Sequence, residues 1–245
     1  MKALVAIIRR EFLSYFVSPL AYVILTAFLL VSGTVFVLLV NALNAPETPS
    51  TAMMSLYFTN VFQWIFLMIV SSVISMRLLS EERKSGSIES LLTAPVSEAT
   101  VVTGKFIGGW CFFLFLFLPT LVYPLLLSRV SRLDAGPVLS GYLGIALIGA
   151  LFLSAGTFAS ALTKNQIVAA IVAFAIVLGS FLLGIFRDVL PSTNLRDALS
   201  YLNILDHMDD FSRGIVDTRR LVYVGSTVTF FLFLATRALE VNKGK

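Results

Sequence analysis

The chain has few side chains that could perform covalent or metal chemistry. Its one histidine, His207, lies beside Asp206, Asp209 and Asp210, and its one cysteine, Cys111, lies in an aromatic-rich apolar run. Asp206 and Asp210 share a helical face, but no second His or Cys is near, which favours a solvated acidic helix end over a metal site. Cys111 is interpreted as a packing residue. An intramembrane hydrolase would need a nucleophile with a base or a metal centre, and the sequence offers neither.

A phosphate-binding loop is also missing from the sequence. The lysine in Thr103-Gly104-Lys105-Phe106 lacks both the first glycine of the pattern G-x-x-x-x-G-K-[ST], where Ala99 stands, and the following hydroxyl, where Phe106 stands. We therefore expect no cofactor on this chain.

The elements that must position every side chain are membrane helices. Of the 245 residues, 58% are hydrophobic and 13% are charged, and the mean hydropathy is +0.92, whereas about a quarter of a soluble domain is charged. This excludes a soluble enzyme, a secreted disulfide scaffold and a nucleic-acid binder, and the continuously apolar windows exclude a β-barrel. The predicted fold class is an all-α membrane protein with six transmembrane helices, at residues 20–43, 55–77, 106–128, 138–162, 166–186 and 220–238.

The distribution of positive charge predicts the orientation. The segments on the side of the two termini hold eleven of the 18 Lys and Arg residues. Most of the others lie in one long loop, where they count less toward orientation. We expect both termini and the loop 77–105 to be cytoplasmic. The net charge of +4 is explained by this bias and does not require an anionic ligand.

Residues 2–17 predict an interfacial helix along the inner leaflet. Leu4, Ile8 and Phe12 recur at helical spacing, with basic residues elsewhere on the wheel. Ser18-Pro19 then breaks the helix before the first span. The candidate residues on this helix are Arg9, Arg10, Glu11 and Phe12.

The external loop 187–220 is too long for a simple connection. A start signal at Pro191–Asn194 predicts one short helix, and a second is expected to hold Met208 and Phe211 and to stop at Gly214. The candidate residues in this loop are Phe211, Arg213, Gly214 and Asp217.

The cytoplasmic loop 77–105 predicts a short helix held between two long ones. Ile88, Leu91 and Leu92 form a small apolar face, Pro95 ends the helix, and Ser97 starts the one that feeds the third span. An apolar face toward water calls for a partner protein, although packing against the interfacial helix of the same chain is the alternative. Glu82 is expected to orient the loop by accepting hydrogen bonds from the backbone or from a basic residue.

The same loop resembles the signature of ABC-2 type permeases, the membrane subunits of type V ABC transporters. The resemblance rests on Glu82-x-x-x-Gly86-Ser87-x-Glu89-x-Leu91-Leu92-Thr93-x-Pro95-Val96, closed by Gly104-Lys105-Phe106. Further similarity, to the permease of gliding-motility-associated ABC transporters in particular, lies in Arg10-Glu11-Phe12, Ser18-Pro19-x-Ala21-Tyr22, Pro119-Thr120-Leu121, Asn165–Ala169 and Phe211–Arg219. Family members typically carry Thr where this chain has Ser87, and both hydroxyls can cap a helix.

The resemblance implies the permease of an ATP-driven exporter in the bacterial cytoplasmic (inner) membrane. It implies that the loop docks on a separate ABC ATPase, present in two copies that bind ATP and Mg, through Glu82, Gly86, Ser87, Ile88, Glu89, Leu91, Leu92, Pro95 and Val96. The other implied partners are a second or homologous permease, an extracytoplasmic accessory protein and membrane lipid, with no nucleic acid. A dimer interface is expected along the first and fifth spans, near Gly33, Gly179 and Gly184.

Two alternative functions remain open at this point. A secondary transporter or channel would be expected to carry ionisable residues in mid-span, and none is found there. A membrane anchor that transports nothing is the other alternative, which a substrate-dependent ATPase assay would distinguish.

Overall fold

The computed structural model describes residues 2–42, 50–85, 97–130, 133–186 and 203–243, and in these residues the chain forms helices and no strands. We number the α-helices in chain order. They are α1 (Lys2–Val17), α2 (Pro19–Ala42), α3 (Ser50–Thr59), α4 (Val61–Ser85), α5 (Glu98–Phe117), α6 (Val122–Val130), α7 (Ala135–Leu162), α8 (Gln166–Phe186), α9 (Ile204–Ser212) and α10 (Thr218–Lys243).

Five segments are long and apolar enough to cross a membrane: Pro19–Ala42, Val61–Lys84, Glu98–Val130, Ala135–Leu162 and Thr218–Val241. Gln166–Leu182, within α8, is a shorter apolar helix. The chain is therefore a multi-pass membrane protein. A 3-10 turn, Pro119–Leu121, interrupts the α-helix of the third segment, because proline lacks the N–H that a continuing α-helix would use.

The second span differs from the predicted helix 55–77. Asn60 interrupts it, because its side-chain oxygen accepts hydrogen bonds from the N–H groups of Phe62 at 3.0 Å and Gln63 at 3.4 Å and so starts a new helix. That helix, α4, continues to Ser85. The predicted end at residue 77 was too early, because it followed the fall in hydropathy where Arg77 begins a charged run.

The third span also begins earlier than the predicted residue 106. The Ser97 side chain accepts a hydrogen bond from the Thr100 N–H at 3.3 Å and caps α5, which starts at Glu98. The predicted loop 77–105 is therefore mostly helical, and only residues 86–97 lie between α4 and α5. We call these residues the connecting segment.

Helix α7 forms the centre of the bundle. In the most apolar 18-residue stretch of α7, 72% of the residues are buried, whereas the corresponding share in α10 is 11%. Glycines let neighbouring helices approach it closely: Gly149 faces the Phe113 ring and Gly156 faces the Ser75 side chain, so a Cβ at either position would overlap them. A Cβ at Gly33 would stand 3.5 Å from the Tyr123 hydroxyl of the same chain, and its expected place at a dimer interface stays a prediction.

Candidate functional site

Helix α1 lies directly against the N-terminal half of α5. A Cβ at Gly104 would stand 2.8 Å from Ile7 Cγ2, and one at Gly108 would stand 2.7 Å from Glu11 Cβ. The two glycines therefore let α1 and α5 pack more closely than any larger residue at these positions would allow. This close approach brings a carboxylate of α1 beside a lysine of α5.

Lys105 joins three helices through a pair of ionic contacts. Its Nζ lies 2.9 Å from Glu11 Oε2 on α1 and 3.0 Å from Glu82 Oε1 on α4. The side chains of Lys105, Glu11 and Glu82 are only 6%, 11% and 15% exposed. Charges buried to this degree are tolerated when they are paired, because pairing offsets the loss of hydration. We call these three residues the ion triad.

Tyr15 adds a second link between the same helices. Its hydroxyl donates a hydrogen bond to the Ile74 carbonyl of α4 at 3.0 Å, and its ring stacks on Phe112 of α5 at 4.4 Å. The Arg77 guanidinium lies 4.9 Å from the ring centroid, a cation–π contact. Burial first, and the Glu11 carboxylate second, raise the pKa of the Tyr15 hydroxyl, so it stays protonated and continues to donate.

A charged cleft of about 220 Å³ opens beside the ion triad. It is lined by Arg10, Glu11, Ser14, Arg77, Glu81, Glu82 and Lys105. The three cations and three carboxylates in this lining balance, and Arg77 pairs with Glu81 at 3.4 Å. Such an arrangement holds helices in register by electrostatics. The Ser14 hydroxyl in this lining donates a hydrogen bond to the backbone carbonyl of Glu11 at 2.7 Å.

Another side of α4 is held by α7. The Ser160 hydroxyl accepts hydrogen bonds from the N–H groups of Leu79 and Ser80, each at 3.0 Å. It donates to the Met76 carbonyl at 2.9 Å, and Arg83 donates to the Ala161 carbonyl. The last turns of α4 are thus fixed on two sides, immediately before the connecting segment.

The sequence model of a family described as ABC-2 family transporter protein matches residues 34–204, from the middle of α2 to the start of α9. The chain belongs to the ABC-2 transporter family. It is therefore an ABC transporter permease, and the family implies partnership with an ABC ATPase subunit. No curated protein matches the sequence.

Most of the residues expected to contact the ATPase in this ABC-2 permease lie outside the described residues. These are Gly86, Ser87, Ile88, Glu89, Leu91, Leu92, Pro95 and Val96. Glu82 is described, and it contacts the Lys105 ammonium group. On α1, Arg9 and Arg10 are exposed, Phe12 is half-buried and Glu11 is buried.

The ion triad was not foreseen from the sequence. The sequence patterns place Lys105 at the close of the family signature and Glu11 in the predicted interfacial helix, and neither pattern predicts that the two side chains pair. A signal was present, however: Glu11 follows Leu4 and Ile7 on one helical face and precedes Tyr15, so a carboxylate interrupts an apolar stripe. A charge in that position requires a buried partner.

The helix α9 lies at the end of the bundle opposite to α1. It stops before Gly214, whose φ of +89° is in the left-handed region that glycine adopts readily. Phe211 is buried against Gly144, and the N–H of Arg219 donates to the Asp217 side chain at 2.8 Å, which starts α10. Arg213 pairs with Asp209 at 2.8 Å on the surface.

The expectation that His207 lies at a solvated helix end is wrong. His207 is 1% exposed and meets the Tyr223 ring edge-on at 5.0 Å. Asp209 lies on the other side of α9 and pairs with Arg213, whereas Asp210 lies one turn after His207 on the same side and pairs with Arg220 of α10 at 3.0 Å. Because a helix places neighbouring residues about 100° apart, a buried histidine can stand two residues before a partly exposed aspartate.

Proposed function

We propose that the chain is the permease of an ATP-driven exporter that receives motion from a separate ATPase through the connecting segment. The observation that carries this proposal is the ion triad. Glu82 lies near the end of α4 and Lys105 near the start of α5, so the two helices that flank the connecting segment are tied to each other and to α1. A displacement of the segment would therefore move α4 and α5 together.

The proposed path continues into the centre of the bundle. Helix α4 contacts α7 through Ser160, and α5 contacts α7 through the indole N–H of Trp110, which donates to the Ala146 carbonyl at 2.9 Å. Movement of both flanking helices would thus reach α7. ATP binding can shift the permease between two conformations only if those conformations make different contacts with the ATPase.

The proposed topology has six spans, with α8 as the fifth. A 21-residue helix such as α8 extends about 31 Å, which matches the hydrocarbon thickness of a bilayer. Both termini and the connecting segment are then cytoplasmic, and α9 is external. The proposed assembly contains two permease copies and two ATPase subunits. ATP and Mg bind to the ATPase subunits, because the permease sequence has no phosphate-binding loop of its own.

The experiment is co-purification of the cognate ATPase with a Leu91→Asp/Leu92→Asp variant. Burying each leucine against the ATPase would contribute roughly 1.5–3 kcal/mol before ordering costs, and two carboxylates in that contact would oppose it. We expect the variant to insert into the membrane normally and to lose the ATPase. A matched control is Ile215→Asp/Val216→Asp, two adjacent exposed apolar residues at the opposite end of the bundle, which should retain it.

Full recovery of the ATPase with normal ATP turnover would contradict the coupling role of the connecting segment. If the complex assembles but ATP turnover never responds to any candidate substrate, the chain is a membrane anchor. Substrate movement that is driven by an ion gradient without the ATPase would indicate a secondary transporter.

A further inference from the structure

The face of α1 that points away from the bundle combines cations with apolar side chains. Its exposed residues include Lys2, Val5, Arg9, Arg10, Leu13 and Val17. The only acidic residue of α1, Glu11, points the other way and pairs with Lys105 at 2.9 Å. The outward face of α1 therefore carries three positive charges and no negative charge of its own, and one of these cations, Arg10, also lines the charged cleft.

The position of this face relative to the membrane-spanning helices narrows the choice of partner. Helix α1 ends at Val17, and the span Pro19–Ala42 begins two residues later. Tyr15 of this helix contacts Ile74 of α4 and Phe112 of α5. A helix that leads directly into a membrane span, with apolar side chains between its cations, has the composition of one that lies in the headgroup region of a bilayer.

We propose that this face of α1 binds the anionic phospholipid headgroups of the leaflet in which it lies. Charge complementarity is the reason: Lys2, Arg9 and Arg10 can contact headgroup phosphates while Val5, Leu13 and Val17 enter the acyl boundary. A protein partner of mixed charge would leave some of these cations opposed by like charge. The proposal uses the membrane location of the chain and does not depend on coupling to an ATPase.

Lipid contact and the ion triad occupy opposite faces of the same helix, so both can form at once. Anionic headgroups would hold α1 from outside while Lys105 holds it from inside. The charge of the leaflet would then determine how firmly α1 is held, and through Glu11 it would affect the flanking helices α4 and α5. Zwitterionic lipid would supply the apolar contacts but not the net charge.

The test uses fluorescence quenching in the full chain reconstituted into phosphatidylcholine vesicles. An environment-sensitive fluorophore is attached to Leu13→Cys in a Cys111→Ser background. Two vesicle preparations are compared, in which a small fraction of nitroxide-labelled lipid is either phosphatidylglycerol or phosphatidylcholine. Each Lys or Arg near an anionic surface raises binding about fivefold, and salt reduces this. We expect phosphatidylglycerol to quench more effectively by about threefold or more at low salt, and the difference to shrink at high salt.

The triple variant Lys2→Gln/Arg9→Gln/Arg10→Gln should quench equally with both lipids. A control that removes three exposed cations elsewhere, Arg129→Gln/Arg219→Gln/Arg237→Gln, should keep the preference. Equal quenching in the parent protein, an unchanged preference in the triple variant or an equal loss in the control would overturn the proposal. The absence of quenching by either lipid would show that water or a protein covers α1, and would overturn it as well.

Discussion

Replacing Lys105 with methionine removes the cation that joins α1, α4 and α5. Methionine keeps the unbranched apolar stem, so the variant isolates the charge. Two largely buried carboxylates, on Glu11 and Glu82, would then face each other without compensation. Breaking a buried ion pair by removal of one partner typically costs about 3–5 kcal/mol, and we expect a loss of unfolding free energy in that range, measured by denaturant titration in mixed micelles.

Two companion variants show whether the loss comes from buried charge. Arg213→Met removes an exposed partner of Asp209, whose side chain is 42% exposed, and should cost less than about 1 kcal/mol. Adding Glu11→Gln and Glu82→Gln to Lys105→Met removes the uncompensated charges and should recover most of the stability. The reasoning is refuted if Lys105→Met costs no more than Arg213→Met, or if the neutral triple variant recovers nothing.

Three further predictions concern packing, topology and assembly. Gly156→Ala should lower the unfolding free energy by about 1–3 kcal/mol because its Cβ would overlap an α4 serine, whereas Gly179→Ala, with no atom within 4 Å of its Cβ, should be neutral or slightly stabilising; equal effects would contradict the close approach of α4 and α7. In a Cys111→Ser background, a membrane-impermeant thiol reagent added outside should label Ser192→Cys and miss Ser85→Cys, and the reverse pattern would overturn the orientation. A cysteine at Gly179 should cross-link to a second copy in native membranes, and a full scan of α2 and α8 that yields only monomer would count against the dimer.

The elements of this fold were more accessible from the sequence than their contacts. A helix was expected at residues 2–17, and α1 spans Lys2–Val17. The agreement is close because both signals, the helical spacing and the proline that follows the helix, depend only on residues near one another in the chain. The expected stop at Gly214 likewise depends on one residue with a positive φ. Helix ends that depend on local chemistry can be predicted from the sequence. The break at Asn60 was not predicted, because Asn60 lies within a long window without charged residues.

The ion triad could not be predicted because its members are far apart in the chain. Glu11 and Lys105 are separated by 94 positions, and they meet only because Gly104 and Gly108 allow α1 to approach α5. The burial of His207 was missed for a related reason. Its sequence neighbours are acidic, but the residue it meets, Tyr223, belongs to α10, and composition around a residue says little about which side of a helix faces the core.

The double attachment of α4 has a mechanical consequence. Its final turns are held by both Lys105 and Ser160, and the helix is continuous from Val61 to Ser85. In the proposed coupling, a push on the connecting segment would tilt α4 about these two attachments. The largest displacement would then emerge at the far end of the helix, near Asn60.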